Sequence, residues 1–267
     1  MTERQKTRGY LLPLLFAILL GVVGIGFQAG MSVAQAAPPP KKSAAELAIE
    51  KAATQKRYVI ATFYKSKDDA SSKMLKTASA AAQREKDRAD FVRIDVANAA
   101  HKPIIARYGL EDAPIPMTLV IAPNGAVTAA FPRTMKDTVD LKTAFVSAGM
   151  ADILKVVQAG KLAVVCLKNA KTTCNAESDA TIKTLCADKQ LAGITDTLVM
   201  DPADPKEVEF YKRCSVKTDN PKAQIMLVAP PGRVLGVFDG DITSDQLMAR
   251  LTQACGSGGC GPSGCGQ

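Results

Sequence analysis

The chain has 267 residues, 47% of them hydrophobic and 22% charged, with a formal net charge of +8. That is ordinary globular material, long enough for one large domain or two small ones. The positive charge is spread along the chain without a basic cluster or interleaved aromatics, which speaks against a nucleic-acid surface and for a solvated one. A single His, His101, stands in a half of the chain that has no Cys. No zinc-ligand spacing, C-x-x-C-H haem motif or Ser/His/Asp grouping is present, so nothing supports a hydrolase, and no cofactor is expected.

At the N-terminus Arg4, Lys6 and Arg8 precede an uncharged apolar run over 11–27. "SVAQAAPPP" then places small residues at Ala34 and Ala36, an A-x-A pattern with cleavage expected after Ala36. Residues 1–36 read as a secretory signal peptide, followed by a Pro/Lys linker over 37–42. The expected location is therefore periplasmic or extracellular. A retained anchor is the alternative, because the run is near the lower length limit for spanning a bilayer; membrane attachment is expected only through such an uncleaved segment.

"SAAE" at Ser43 is a capping-box pattern, opening a helix to about residue 55. A β-branched and aromatic run, 58–64, predicts a buried strand; 70–86 a helix; 91–96 a strand; 102–109 a short helix ending at Gly109. "MTLVIA-PNG-AVTAAF" (117–131) predicts a hairpin, and 137–148 a closing helix. Much of this order then recurs. Strands are expected at 162–167 and 196–201, helices at 176–189 and 205–214, the latter with Pro205 in its first turn. A second hairpin is expected over 224–238 and a last helix over 243–253. The hairpins "IAPNGAVTAAF" (121–131) and "VAPPGRVLGVF" (228–238) align without a gap, which indicates a tandem duplication. Domains are drawn at 43–150 and 151–254, with the junction near 149–151 and a Gly/Cys tail over 255–267.

This order, with "ARYGLEDAPIPMTLVIAPNGAV" (106–127), resembles the thioredoxin superfamily. The resemblance implies an α/β fold: two tandem thioredoxin-like domains, each a central mixed sheet flanked by helices. It also implies that Pro116 follows a cis peptide bond, the one kind of bond for which cis is inexpensive; the other reading makes Pro114 and Pro116 loop breakers. The family's C-x-x-C dithiol belongs at the start of the helix after the strand 58–64. This sequence has "FYKSKDDASSKML" there, with Asp68 or Asp69 and Ser71 or Ser72 in its place. Neither residue type exchanges disulfides, so the first domain is expected to be non-catalytic. In the second half the loop is "LKNAKTTCNAESDA", with one Cys, Cys174, and Ala223 at the proline position.

All seven cysteines lie beyond residue 165. Cys174 has two readings. It is either a single reactive thiol favoured by a helix N-terminus and Lys171, or a structural disulfide, with Cys214 as preferred partner over Cys186. Cys166, mid-strand, reads as inert core. Cys255, Cys260 and Cys265 in "CGSGGCGPSGCGQ" form C-x4-C-x4-C in a Gly-rich tail. These three are redox candidates; soft-metal chelation, cross-linking and no specific role are the alternatives. The expected function is thiol–disulfide exchange or protein-folding support outside the cytoplasm, with a protein or peptide partner. A redox-inactive binding scaffold is the main alternative.

Overall fold

The computed structural model describes residues 42–66, 68–136 and 141–256. The expected signal peptide, most of the linker, and Cys260 and Cys265 lie outside the described residues. No helix among the described residues is long and apolar enough to cross a membrane.

The first half runs α1 (Ala44–Thr54), β1 (Tyr58–Tyr64), α2 (Asp69–Arg84), β2 (Ala89–Asp95), α3 (Lys102–Arg107), β3 (Met117–Ile121) and β4 (Val127–Pro132). The second runs α4 (Ala148–Gln158), β5 (Leu162–Leu167), α5 (Asn175–Ala187), β6 (Thr195–Met200), α6 (Val208–Arg213), β7 (Gln224–Ala229), β8 (Arg233–Asp239) and α7 (Ser244–Gly256). Each half forms one four-stranded mixed sheet, ordered β2-β1-β3-β4 and β6-β5-β7-β8. In both, the first two strands pair in parallel and the other pairings are antiparallel. Even the irregularity in the hairpins recurs, between Val120 and Ile121 and between Leu227 and Val228.

Alternation along the strands splits each core across its sheet. Val59, Ala61 and Phe63 of β1 face Ile49, Ile104 and Ile105 on α1 and α3, whereas Ile60 faces Met74 and Ala78 on α2. Val165 and Leu167 of β5 likewise join Ile153 and Phe210 on α4 and α6. Val164 and Cys166 join Ile182, Leu185 and Leu247 on α5 and α7. The capping box read at Ser43 is formed: Glu46 N donates to Ser43 Oγ (3.2 Å) and Ser43 N to Glu46 Oε2 (2.9 Å).

Four boundaries depart most from the sequence reading. In place of a helix over 137–148, the described residues hold a 3-10 turn, Leu141–Ala144, which packs Leu141 and Ala144 against Met74 and Val120. The next helix, α4, begins at Ala148 and takes the junction drawn at 149–151 into its first turn. Gly149 resembles a helix end but is held inside one. Its N–H donates to Glu207 Oε1 (2.8 Å), and Ser147 Oγ donates to the other oxygen of that carboxylate. The short helix expected from Pro205 begins at Val208. At the other end α7 runs through Gly256, so Cys255, drawn as the first tail residue, belongs to a helix backbone.

Helix α4 serves both halves. Ile153, Val156 and Val157 pack on the second sheet, while Ala151 and Leu154 pack with Ala122 and Ala126 of the β3–β4 hairpin. Val127 N donates to Gln158 Oε1 (2.9 Å) and Gln158 Nε2 donates to Val127 O (2.6 Å), so one side-chain amide pairs with the outer edge of β4 at Val127. Asn124 Nδ2 donates to Asp152 Oδ1 (2.8 Å) beside it.

Candidate functional site

Two equivalent positions exist, at the start of the helix that follows the first strand of each sheet. In the first domain β1 delivers the chain to Asp68, the N-cap of α2, whose carboxylate accepts from Ser71 N (3.0 Å) and Ser71 Oγ (2.7 Å). Those bonds, the Ser71 hydroxyl foremost, hold the Asp68 carboxyl below its ordinary value. Ser71 Oγ also accepts from Lys65 N (3.1 Å), and the residue is buried. Asp68 and Ser71 therefore hold a backbone turn and carry no thiol chemistry. The Ile115–Pro116 bond beside this position is cis, as the resemblance implies. A shallow recess of about 370 Å³ next to it is lined by Met74 and Met135 together with Lys73, Arg133 and Lys136.

In the second domain the N-cap of α5 is Cys174 itself, at φ 58 and ψ 27, without a side-chain capping bond. Neither Asn175 nor Ser178 caps the helix. Asn175 Nδ2 donates to Asn169 O (2.9 Å), and Ser178 Oγ donates to Asn175 O (2.9 Å). Ala223 occupies the place of Pro116, since Leu167 pairs with Gln224 as Phe63 pairs with Met117. The consequence is a bond that proline has no hydrogen to make. Ala223 N donates to Thr173 O (2.8 Å) and Thr173 N to Pro221 O (2.8 Å), a parallel bridge that ties the Cys174 loop to the segment entering β7. The lysine that feels Cys174 is Lys222, whose pKa is raised first by its hydrogen bond to Asp241 and further by Cys174. Lys171, the expected neighbour, instead interacts with Asp201.

An aspartate at the end of the second strand anchors each loop. Asp95 accepts from Ser66 Oγ and Ala97 N, and Asp201 from Asn169 Nδ2 (2.7 Å) and Ala203 N (2.9 Å). Both carboxyls lie below their ordinary value, held there first by Ser66 and by Asn169. His101 turns Nδ1 to Asp95 O (2.8 Å) and so belongs to the same support. The sequence carried this signal as "DVAN" and "DPAD", an aspartate two residues before a turn amide, and sequence reasoning missed it.

The preferred bridge between Cys174 and Cys214 is not formed; both are free thiols, as are Cys166 and Cys186. The reason is the sheet between them. Cys214 packs with Met150 and Leu198 on the α4/α6 face, whereas α5, which Cys174 caps, covers the opposite face. Burial pushes the Cys214 and Cys166 thiols up, so neither is an activated nucleophile. Cys166 Sγ lies 3.6 Å from Ser178 Oγ in the core, the inert position read from sequence. Of the tail candidates, Cys255 is placed only as backbone in the last turn of α7, and Cys260 and Cys265 lie outside the described residues. No group of three or more His, Cys, Asp or Glu suited to a metal ion occurs among the described residues.

Strand order 2-1-3-4 with the third strand antiparallel and the site helix after the first strand give each half a thioredoxin-like fold, two in tandem; a cis-Pro enters the third strand only in the first, where the second has Ala223. No protein-family model and no curated protein sequence matches the chain. Among solved structures it is similar to the first two thioredoxin domains of Saccharomyces cerevisiae Eps1p, at 14% identity and a TM-score of 0.28, covering 79% of this chain and 98% of that one. Human ERp44 in its zinc-bound form is similar at 13% identity and a TM-score of 0.29, covering 76% and 54%. The N-terminal N/C domain of the alkylhydroperoxide reductase AhpF from Enterococcus faecalis follows at 12% and 0.24, covering 77% and 96%.

Proposed function

We propose that the chain is an exported thiol-exchange protein in which Cys174 engages a partner protein and the first domain is non-catalytic. The observation that carries this reading is the position of Cys174: a free, partly exposed thiol at the N-cap of α5, where the first domain has Asp68. Lys222, held by Asp241, places a positive charge near Cys174. In the step itself the Cys174 thiolate attacks one sulfur of a partner disulfide. That S–S bond breaks, a mixed disulfide forms, and the partner's other sulfur leaves as thiolate. A tail thiolate then attacks the Cys174 sulfur and releases the partner as a dithiol, leaving a disulfide between Cys174 and the tail. The partner is reduced and this chain oxidised; the reverse sequence oxidises the partner. Export, read from residues 1–36, supplies the compartment in which such disulfides persist.

The test is a thiol–disulfide exchange assay on wild type, on Cys174→Ser, and on a variant with Ser at Cys255, Cys260 and Cys265. Loss of exchange in Cys174→Ser, and mixed disulfides that persist in the tail variant, are expected. Equal exchange by wild type and Cys174→Ser sinks the role of Cys174, and no exchange by wild type sinks the reading as a whole. A redox-inactive scaffold is the second reading. It is favoured by the Thr173–Ala223 bridge, which ties the loop before Cys174 to the segment entering β7, with Ala223 where the first domain has cis-Pro116.

A further inference from the structure

On one face of the first sheet the helices leave a trough. Helix α1 packs on β1 and β2, and α4 meets β4 from its outer side, through Gln158 at Val127. Between them a groove of about 990 Å³ runs over β3 and β4. Its floor is apolar, since Ile49, Met117 and Leu119 line it and each is 8% exposed or less. Ala130, on β4 opposite Leu119, is exposed and gives the wall only a methyl group.

The second domain fills the same place. Gln224 stands where the first domain has Met117, and its amide is spent on the backbone of Lys217. Lys217 N donates to Gln224 Oε1 (3.2 Å), and Gln224 Nε2 donates to Lys217 O (2.7 Å). Val237 stands where the first domain has Ala130, and it packs into the core shared by α4 and α6. The groove is therefore a property of the first domain and of the joint.

Charge selects the occupant. The charged side chains on the lining are Glu50, Arg107 and Lys155. Both Glu50 oxygens are held by Lys42, at 2.6 and 2.8 Å. Arg107 Nη2 lies 3.9 Å from Glu46 Oε1. The Lys155 ammonium has no hydrogen bond or ion pair among the described residues. Asp152, nearly one turn before it on α4, is engaged by Asn124. Lys155 Nζ stands beside the hairpin turn, 3.4 Å from where a Cβ on Gly125 would be. An uncompensated ammonium at the end of an apolar trough suits an anion carried on an apolar body.

We propose that this groove binds an unbranched apolar chain ending in one carboxylate, a fatty-acid-like ligand. The chain lies along Ile49, Met117 and Leu119, and the carboxylate pairs with Lys155. The first domain supplies the floor and the second domain the charge, so the ligand spans the joint.

The test is isothermal titration calorimetry of the purified exported chain, in reductant so that tail disulfides play no part. The probes are decanoate and decyltrimethylammonium, which share a chain length and differ in the sign of the head. Decanoate is expected to bind one per chain and to saturate below about 1 mM, with decyltrimethylammonium about tenfold weaker or more. Lys155→Glu weakens decanoate about tenfold or more, whereas Lys155→Arg retains it. Ala130→Phe, which fills the groove from the exposed side of β4, weakens both probes. Lys183→Glu on α5 makes the same change of charge away from the groove and leaves both affinities as they are. Unchanged thermal unfolding of each variant shows that the fold is intact. Absence of saturable decanoate binding, equal affinity for the two probes, or decanoate affinity indifferent to Lys155→Glu or to Ala130→Phe overturns the proposal. None of these outcomes bears on thiol exchange.

Discussion

Ala223 shows how one backbone hydrogen separates the two domains. At Pro116 there is no N–H, whereas Ala223 donates to Thr173 and holds the Cys174 loop shut. Replacing Ala223 with Pro removes that bond and is expected to cost about 1–3 kcal/mol. It should also speed alkylation of Cys174 by a neutral reagent several-fold; a rate equal to wild type would show that the bridge does not guard the thiol. The two anchoring aspartates give a second expectation. Asp95 and Asp201 have folded-state values below the ordinary 3.8, and Glu46 lies below 4.5, held there first by the Ser43 amide. A depressed carboxyl contributes stability that is fully present above its unfolded value and is lost as pH falls through the folded one. The melting temperature should therefore hold down to about pH 5 and fall below about pH 4, with a shallower fall in an Asp95→Asn/Asp201→Asn variant. A parallel fall in that variant would assign acid sensitivity elsewhere. At this scale the sequence was readable where chemistry is local. The Ser43–Glu46 box and the helix start beside Cys174 follow from neighbours within a few residues, whereas the cis bond at Pro116 was implied by the resemblance. The Cys174–Cys214 pairing was not readable, because which face of a sheet a side chain meets depends on both flanking helices at once.

Helix α4 is where local reading and tertiary structure part. Gly149 two residues after Ser147 looks like the end of one helix, and only Glu207, far along the chain, makes it the beginning of another. Strands were legible by their alternation, and the hairpins by Pro and Gly at the turn. The closing helix of the first domain was not, since Leu141 and Ala144 complete that core in a single 3-10 turn. A Cβ on Gly149 would collide with Met200 Cε and stand 3.0 Å from Glu207 Oε1. The methionine tip can move; the carboxylate cannot without losing its bond to the Gly149 amide. Gly149→Ala is thus expected to destabilise by about 1–3 kcal/mol, read by denaturant unfolding, and a neutral result would mean that the cap is dispensable. Ser43→Ala, which removes the box on α1, should cost about 1 kcal/mol on the same measurement.

For the molecule as a whole, α4 couples the domains, since one helix packs on the second sheet and completes the edge of the first. Wild type is expected to unfold in a single calorimetric transition. Ala151→Asp with Gln158→Ala, which strips the contact to the first domain and spares Ile153, Val156 and Val157, should split it in two. Two transitions already present in wild type would show that the joint transmits little. The duplication itself was plain from the paired hairpins, but the shared helix was not, because a repeat read from sequence assigns every element to one unit.

That shared helix also gives the fold a direction in time. A chain made from its N-terminus has every strand of the first sheet once Pro132 is out, yet Val127 stays bare on the outer strand until Gln158 has followed. During that interval the nascent first domain offers an unpaired strand edge to whatever extended segment is near. The interval closes only when the second domain has begun.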